Sequence, residues 1–94
     1  MEKNIAELAS IPYQTLVGKK LEVFDSSNKK EIGIKGKCVE DRANTVVIKT
    51  RHGEKTIIKK NVWFLVYVEG YKGYKVLVDG KKLVGRIEKR IKRQ

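Results

Sequence analysis

IGIKGKCVEDRANTVVIKTR, residues 32–51, is the stretch whose reading decides the fold. Its apolar and charged residues alternate with period two. Ile32, Ile34, Gly36 and Cys38 fall on one face and Lys35 and Lys37 on the other, and later Val46 and Ile48 oppose Val47, Lys49 and Arg51. A period of two is that of a pleated strand, in which successive side chains leave opposite faces. The two runs, 32–40 and 44–51, are separated by polar turn residues, so the stretch predicts two antiparallel strands with their lysines outward. Gly33 and Gly36 lie inside the first run, where glycine marks strong bending, a bulge or close backbone approach.

The same grammar extends in both directions. Strands are expected at 19–25, at 54–68 with a break or bulge near Asn61, and at 74–78, with turn residues between them every eight to ten positions. His52-Gly53 and Asp79-Gly80 read as hairpin turns. The run from Lys55 to Val68 has apolar residues on both faces and is expected to be central. Ile5, Leu8 and Ala9 recur at helical spacing behind Asn4, a candidate cap, and Pro12 stops that helix early. Val84, Ile87 and Ile91 recur likewise among the basic residues of GRIEKRIKRQ. The expected fold is all-β: a small, strongly bent antiparallel barrel over 18–85, with a helical segment at 1–17 and a basic helix at 86–94.

Composition narrows the function. At 94 residues the chain is one domain with little room for a deep active site. Its 22 Lys and Arg against 11 Asp and Glu leave a net charge of +11, concentrated toward the C-terminus. Such an excess suits a polyanion, whose condensed counterions are released on binding, although a solvated or heat-adapted surface also carries lysine. Cys38 is the single cysteine and His52 the single histidine, so neither an intramolecular disulfide nor a four-ligand Cys/His zinc site can be built. The apolar run VWFLVYV, 62–68, is too short to span a bilayer, and a cytoplasmic protein is expected.

Catalytic groups are scarce. Glu40 and Asp41 are adjacent acids, but strand neighbours point apart, and a turn-capping pair is the better reading than a metal site. His52 sits in a turn without an orienting carboxylate and reads as a surface residue. Trp63 and Tyr67 read as core because they lie in an apolar run, while Tyr71 and Tyr74, beside Gly70, Lys72, Gly73 and Lys75, form a basic aromatic loop that suits RNA stacking.

LVGKKLEVFDSSN at 16–28, IGIKGKCVEDRANTVVI at 32–48 and VDGKKLVGRIEKRIKR at 78–93 together resemble the Sm-like protein subunit of archaeal and eukaryotic ribonuclease P, called component 1 in archaea. The family commonly has an acidic-acidic-Thr turn where this chain has Glu40-Asp41-Arg42, and a Pro and an Asp where it has Ile87 and Lys89. The resemblance implies an Sm-like barrel and a noncatalytic subunit of a ribonucleoprotein endoribonuclease. In that enzyme the RNA performs the Mg2+-dependent hydrolysis that matures the 5′ end of precursor tRNA. No cofactor bound by this chain is implied. The implied partners are the ribonuclease P RNA, a zinc-ribbon protein subunit, and precursor tRNA in the holoenzyme. The candidate RNA contacts are Lys35, Lys37, Lys49, Arg51, Lys72, Lys75, Lys81, Lys82, Arg86, Lys89, Arg90 and Arg93. Ile5, Leu8, Ile87 and Ile91 are the candidate partner-docking residues. A free-standing Sm-like RNA chaperone, a ribosomal protein or a protein-interaction module are the competing readings.

Overall fold

The computed structural model describes residues 11–68 and 73–85. The described residues form six strands: β1 Lys20–Ser26, β2 Lys35–Asp41, β3 Thr45–Thr50, β4 Gly53–Ile58, β5 Val62–Tyr67 and β6 Lys75–Asp79. They form one antiparallel sheet in the order β4-β3-β2-β1-β5-β6. The break expected near Asn61 is a single 3-10 turn, Lys59–Asn61, between β4 and β5.

That turn forces curvature. Ile58 and Val62 are joined through three residues, a path of at most about 14 Å. A flat ladder would hold β4 and β5 four strand spacings apart, roughly 19 Å. The sheet therefore has to curl until its ends approach. Bulges assist: the register slips between Val23 and Asp25 in β1 and between Cys38 and Glu40 in β2, and each adds local twist. Gly36 permits a close crossing of β2 and β3, since a Cβ there would meet the backbone oxygen of Lys49 in β3 at 2.0 Å. Within the curl lies one apolar cluster, to which β1–β6 contribute Leu21, Val23, Cys38, Val46, Ile48, Ile57, Val62, Phe64, Val66 and Val78. Ile11 and Leu16, before β1, and Leu83, after β6, close its ends.

Three expectations are corrected. The sheet does not close into a hydrogen-bonded barrel: β5 already has β1 on one side and β6 on the other, which leaves β4 and β6 as edges. Within the run from Lys55 to Val68, β4 is thus peripheral and mostly exposed, because its apolar pair Ile57 and Ile58 splits between core and solvent. Asp79-Gly80 makes no hairpin. Asp79 instead accepts a hydrogen bond from the Lys81 N–H and caps a 3-10 turn, Gly80–Leu83, that packs so closely on the Lys59–Asn61 turn that a Cβ on Gly80 would overlap the Lys59 carbonyl. His52-Gly53 does turn tightly, with Gly53 at φ +112°. No α-helix occurs among the described residues: the expected basic helix at 86–94 and residues 1–10 of the expected helical segment at 1–17 lie outside them, and the described part of that segment holds only the 3-10 turn Ile11–Tyr13.

Candidate nucleic-acid interface

Register assembles the outer face from residues distant in sequence. Lys20 of β1 stands opposite Lys37 of β2, Lys37 opposite Lys49 of β3, and Lys49 opposite Glu54 of β4. On the other flank the Lys20 ammonium lies 4.7 Å from the centre of the Tyr67 ring in β5. Lys75, the partner of Tyr67 across to β6, places its ammonium 4.9 Å from the same ring. A transverse row therefore crosses all six strands as Lys75, Tyr67, Lys20, Lys37, Lys49 and Glu54.

The energetics of this row point outward. Residues directly opposed in an antiparallel ladder have neighbouring Cβ atoms on the same face, and like charges there destabilise the sheet. Lys20–Lys37–Lys49 makes two such contacts in succession, with acidic relief only at Glu54. Tyr67 stabilises the other end, since an ammonium over an aromatic face is favourable by roughly 0.5–1 kcal/mol at exposed sites. Its hydroxyl donates to Glu22 Oε1 at 2.9 Å. Glu22 in turn stands opposite Lys35, so Lys35 is better compensated than Lys37.

The structure brings Lys37, Lys49 and Lys75 together in this row, with Lys35 beside it. Arg51 is exposed in the turn after β3, and Lys81 and Lys82 are exposed in the turn after β6. Tyr74 is exposed. Lys72, Tyr71, Arg86, Lys89, Arg90, Arg93, Ile5, Leu8, Ile87 and Ile91 lie outside the described residues. Sequence reasoning missed Lys20. The Lys19–Lys20 doublet hides which lysine joins the row, and only the pairing with β2 answers that. It also placed Tyr67 and Trp63 in the core, whereas Tyr67 is half-buried beneath its two lysines and Trp63 is 43% exposed. The physical reason is parity: in β5 the core takes Val62, Phe64 and Val66, which leaves the aromatic positions for the outer face.

The acids do not form a metal pair. The β2 bulge turns the Asp41 carboxylate inward, where its oxygens accept from Lys59 Nζ at 2.7 Å and from the Leu16 N–H at 3.1 Å. Glu40 stays exposed and holds Arg42 through both carboxylate oxygens. These links replace the turn-capping role expected for the two. Among the described residues no cluster of three or more His, Cys, Asp or Glu could hold a metal ion. His52 is an exposed turn residue whose N–H donates to Thr50 Oγ1. Cys38 is fully buried and donates to the Glu40 carbonyl at 3.2 Å. Burial, reinforced by the Asp41 carboxylate, pushes its thiol pKa up to about 11, so it is a poor nucleophile at neutral pH. Among the described residues no helix is long and apolar enough to cross a membrane.

Comparison with known proteins finds clear relatives of this chain. A family model described as ribonuclease P/MRP, subunit p29, matches residues 9–93. The chain is 43% identical over 79 residues to ribonuclease P protein component 1 of Methanocaldococcus jannaschii, a match covering 84% of this chain and 81% of that protein. It is 39% identical over 77 residues to the protein of that name from Archaeoglobus fulgidus, covering 82% and 72% of the two chains. The solved structure of Mth11, a homologue of human RNase P protein Rpp29, is similar with a TM-score of 0.57 and 32% identity, over 83% of this chain and 99% of that one.

Proposed function

The chain belongs to the ribonuclease P/MRP subunit p29 family and is a ribonuclease P protein subunit, and from that premise we propose that it acts as a noncatalytic RNA-binding protein within the particle. Membership ties it to the 5′ processing of precursor tRNA. The observation that supports an RNA-facing role is the Lys20–Lys37–Lys49 row, which costs the isolated fold and is relieved by an external run of phosphates. Lys35, Arg51, Lys75, Lys81 and Lys82 extend this surface, and Lys72, Arg86, Lys89, Arg90 and Arg93 are assigned to it from the sequence. In this reading the RNA subunit holds the Mg2+ and performs the hydrolysis, while the protein neutralises phosphate repulsion and so lowers the Mg2+ that the RNA needs to fold.

The partners proposed are the ribonuclease P RNA, a zinc-ribbon protein subunit docked through Ile5, Leu8, Ile87 and Ile91, and precursor tRNA in the holoenzyme, at work in the cytoplasm. The apolar stripes in those end segments support the docking role, since short helices need tertiary packing to persist in water. The test is reconstitution of precursor-tRNA cleavage at limiting Mg2+, with and without this chain. Faster cleavage in its presence, and none by the protein alone, is the expected result. Cleavage by the protein without RNA would overturn the noncatalytic assignment, and no effect on the reconstituted particle would overturn the supporting role.

A further inference from the structure

At one end of the outer face Trp63 stands between two carboxylates. Across β1 its partner is Asp25, and across β6 it is Asp79. The three residues line an open cleft of about 550 Å³, together with Asn61, Lys60 and Lys81, a size within the range of about 300–1,000 Å³ seen for small-ligand sites. The indole is 43% exposed although it belongs to a strand whose alternate residues are fully buried. Each carboxylate spends one oxygen on a backbone N–H, Asp25 on Ser26 and Asp79 on Lys81, which restrains both acids in the lining they share with Trp63.

From this geometry we infer that the Trp63 cleft is a site for one unpaired nucleotide, with a preference for guanine. The inference rests on the RNA-binding reading above and specifies what a second part of the same surface takes. An exposed indole is a stacking platform for an unstacked base. Carboxylates accept hydrogen bonds and repel phosphate, so they address the base edge, and the cations Lys60 and Lys81 address the backbone. Guanine presents an imino and an amino donor side by side, which match the two oxygens of one carboxylate or engage Asp25 and Asp79 separately. Uracil presents a single donor between two carbonyl acceptors, which the same carboxylates oppose. Trp63 and Tyr67 are four residues apart on β5, about 13 Å along the strand, so one RNA strand can lie on the lysine row and deliver a base to the cleft.

Trp63 is the chain's single tryptophan, so its fluorescence reports on this site alone. The probes are short unpaired oligouridines with and without one internal guanosine, and a blunt RNA duplex of the same length, each end-labelled so that anisotropy reports binding independently. Quenching at several-fold lower concentration by the guanosine oligomer than by oligouridine is expected, with the duplex binding at low salt without quenching. Trp63→Leu should lower affinity for the guanosine oligomer at high salt by about 5- to 150-fold, the range that base–aromatic stacking supplies. Trp63→Phe should restore part of it, and Asp25→Asn with Asp79→Asn should erase the guanine preference while keeping the backbone caps. Binding by anisotropy without quenching overturns the site and leaves the RNA-binding reading intact. Equal quenching by both oligomers overturns the base preference. Absence of binding by every probe overturns the RNA-binding reading and the site with it.

Discussion

Lys59 and Asp41 form a buried ion pair at 2.7 Å, with 0% and 3% of their side chains exposed. The ammonium also donates to the carbonyls of Arg42 and Leu83, and the second oxygen of Asp41 takes the Leu16 N–H. The pair thus ties together the end of β2, the β2–β3 turn, the β4–β5 turn, the segment before β1 and the turn after β6. It occupies the region where strand pairing cannot close the curl, because β5 has no free edge. Three acceptors around one ammonium satisfy its donors, as a buried charge requires.

Truncating one partner leaves the other charged, buried and unpaired. Lys59→Met should therefore destabilise the fold by about 3–5 kcal/mol, measured by urea or thermal denaturation. Lys60→Met, at the exposed neighbour, should lie within about 0.5 kcal/mol of the parent. Equal effects at the two positions would mean that the pair does not hold the ends together.

Much of this fold is written in period-two alternation. The limits of β1, β2, β3 and β6 lie close to where the sequence reading puts them, and the break near Asn61 is real, because apolar parity and turn residues are local signals. What escaped depends on register or on bulges. Parity alone sends Asp41 outward, and the extra residue after Cys38 reverses it. In the same way, nothing in the local sequence distinguishes Lys59 from Lys60, and it is the 3-10 turn that buries the first and leaves the second exposed. The row from Lys75 to Glu54 was invisible for a related reason: its members are far apart in sequence and meet only through antiparallel pairing.

Glu40 is the carboxylate most open to solvent at this end of β2 and is engaged by Arg42. Were the protein to supply a metal-binding acid to the reaction, this would be the accessible one. Glu40→Gln in the reconstituted particle should leave the single-turnover cleavage rate and its Mg2+ dependence unchanged within error. A large drop in rate with assembly intact would place this acid in the chemistry.

Cys38 gives a pH signature. Its folded pKa, about 11, stands above the ordinary value of 9.0. Below pH 9 both states hold the proton and the thiol contributes its full share of stability. Between about pH 9 and 11 the unfolded chain loses the proton first, so stability falls as pH rises. The full loss is roughly 2–3 kcal/mol for a two-unit shift. The difference in unfolding free energy between the parent and Cys38→Ala should shrink over that window. A difference that stays flat from pH 8 to 11 would show that the thiol is not held protonated by the fold.

The lysine row separates placement from net charge. Lys37→Gln with Lys49→Gln removes two charges from directly opposed positions, whereas Lys29→Gln with Lys30→Gln removes two from exposed positions in the turn between β1 and β2. If RNA lies along the row, the first variant should lose more affinity for the ribonuclease P RNA than the second. Its log-affinity against log-salt slope should also be shallower, by up to about 0.9 per phosphate contact removed, taking the value for duplex DNA as a guide. The same variant should be no less stable than the parent, and more stable by a few tenths of a kcal/mol if relief of like-charge repulsion dominates. Affinity down and melting temperature level or up is a combination that a merely structural role for these lysines does not produce. Titrations at several salt concentrations and thermal melts of the two variants measure it. Equal losses of affinity would show that the RNA senses only the overall charge of +11, and that the register of the row carries no weight in binding.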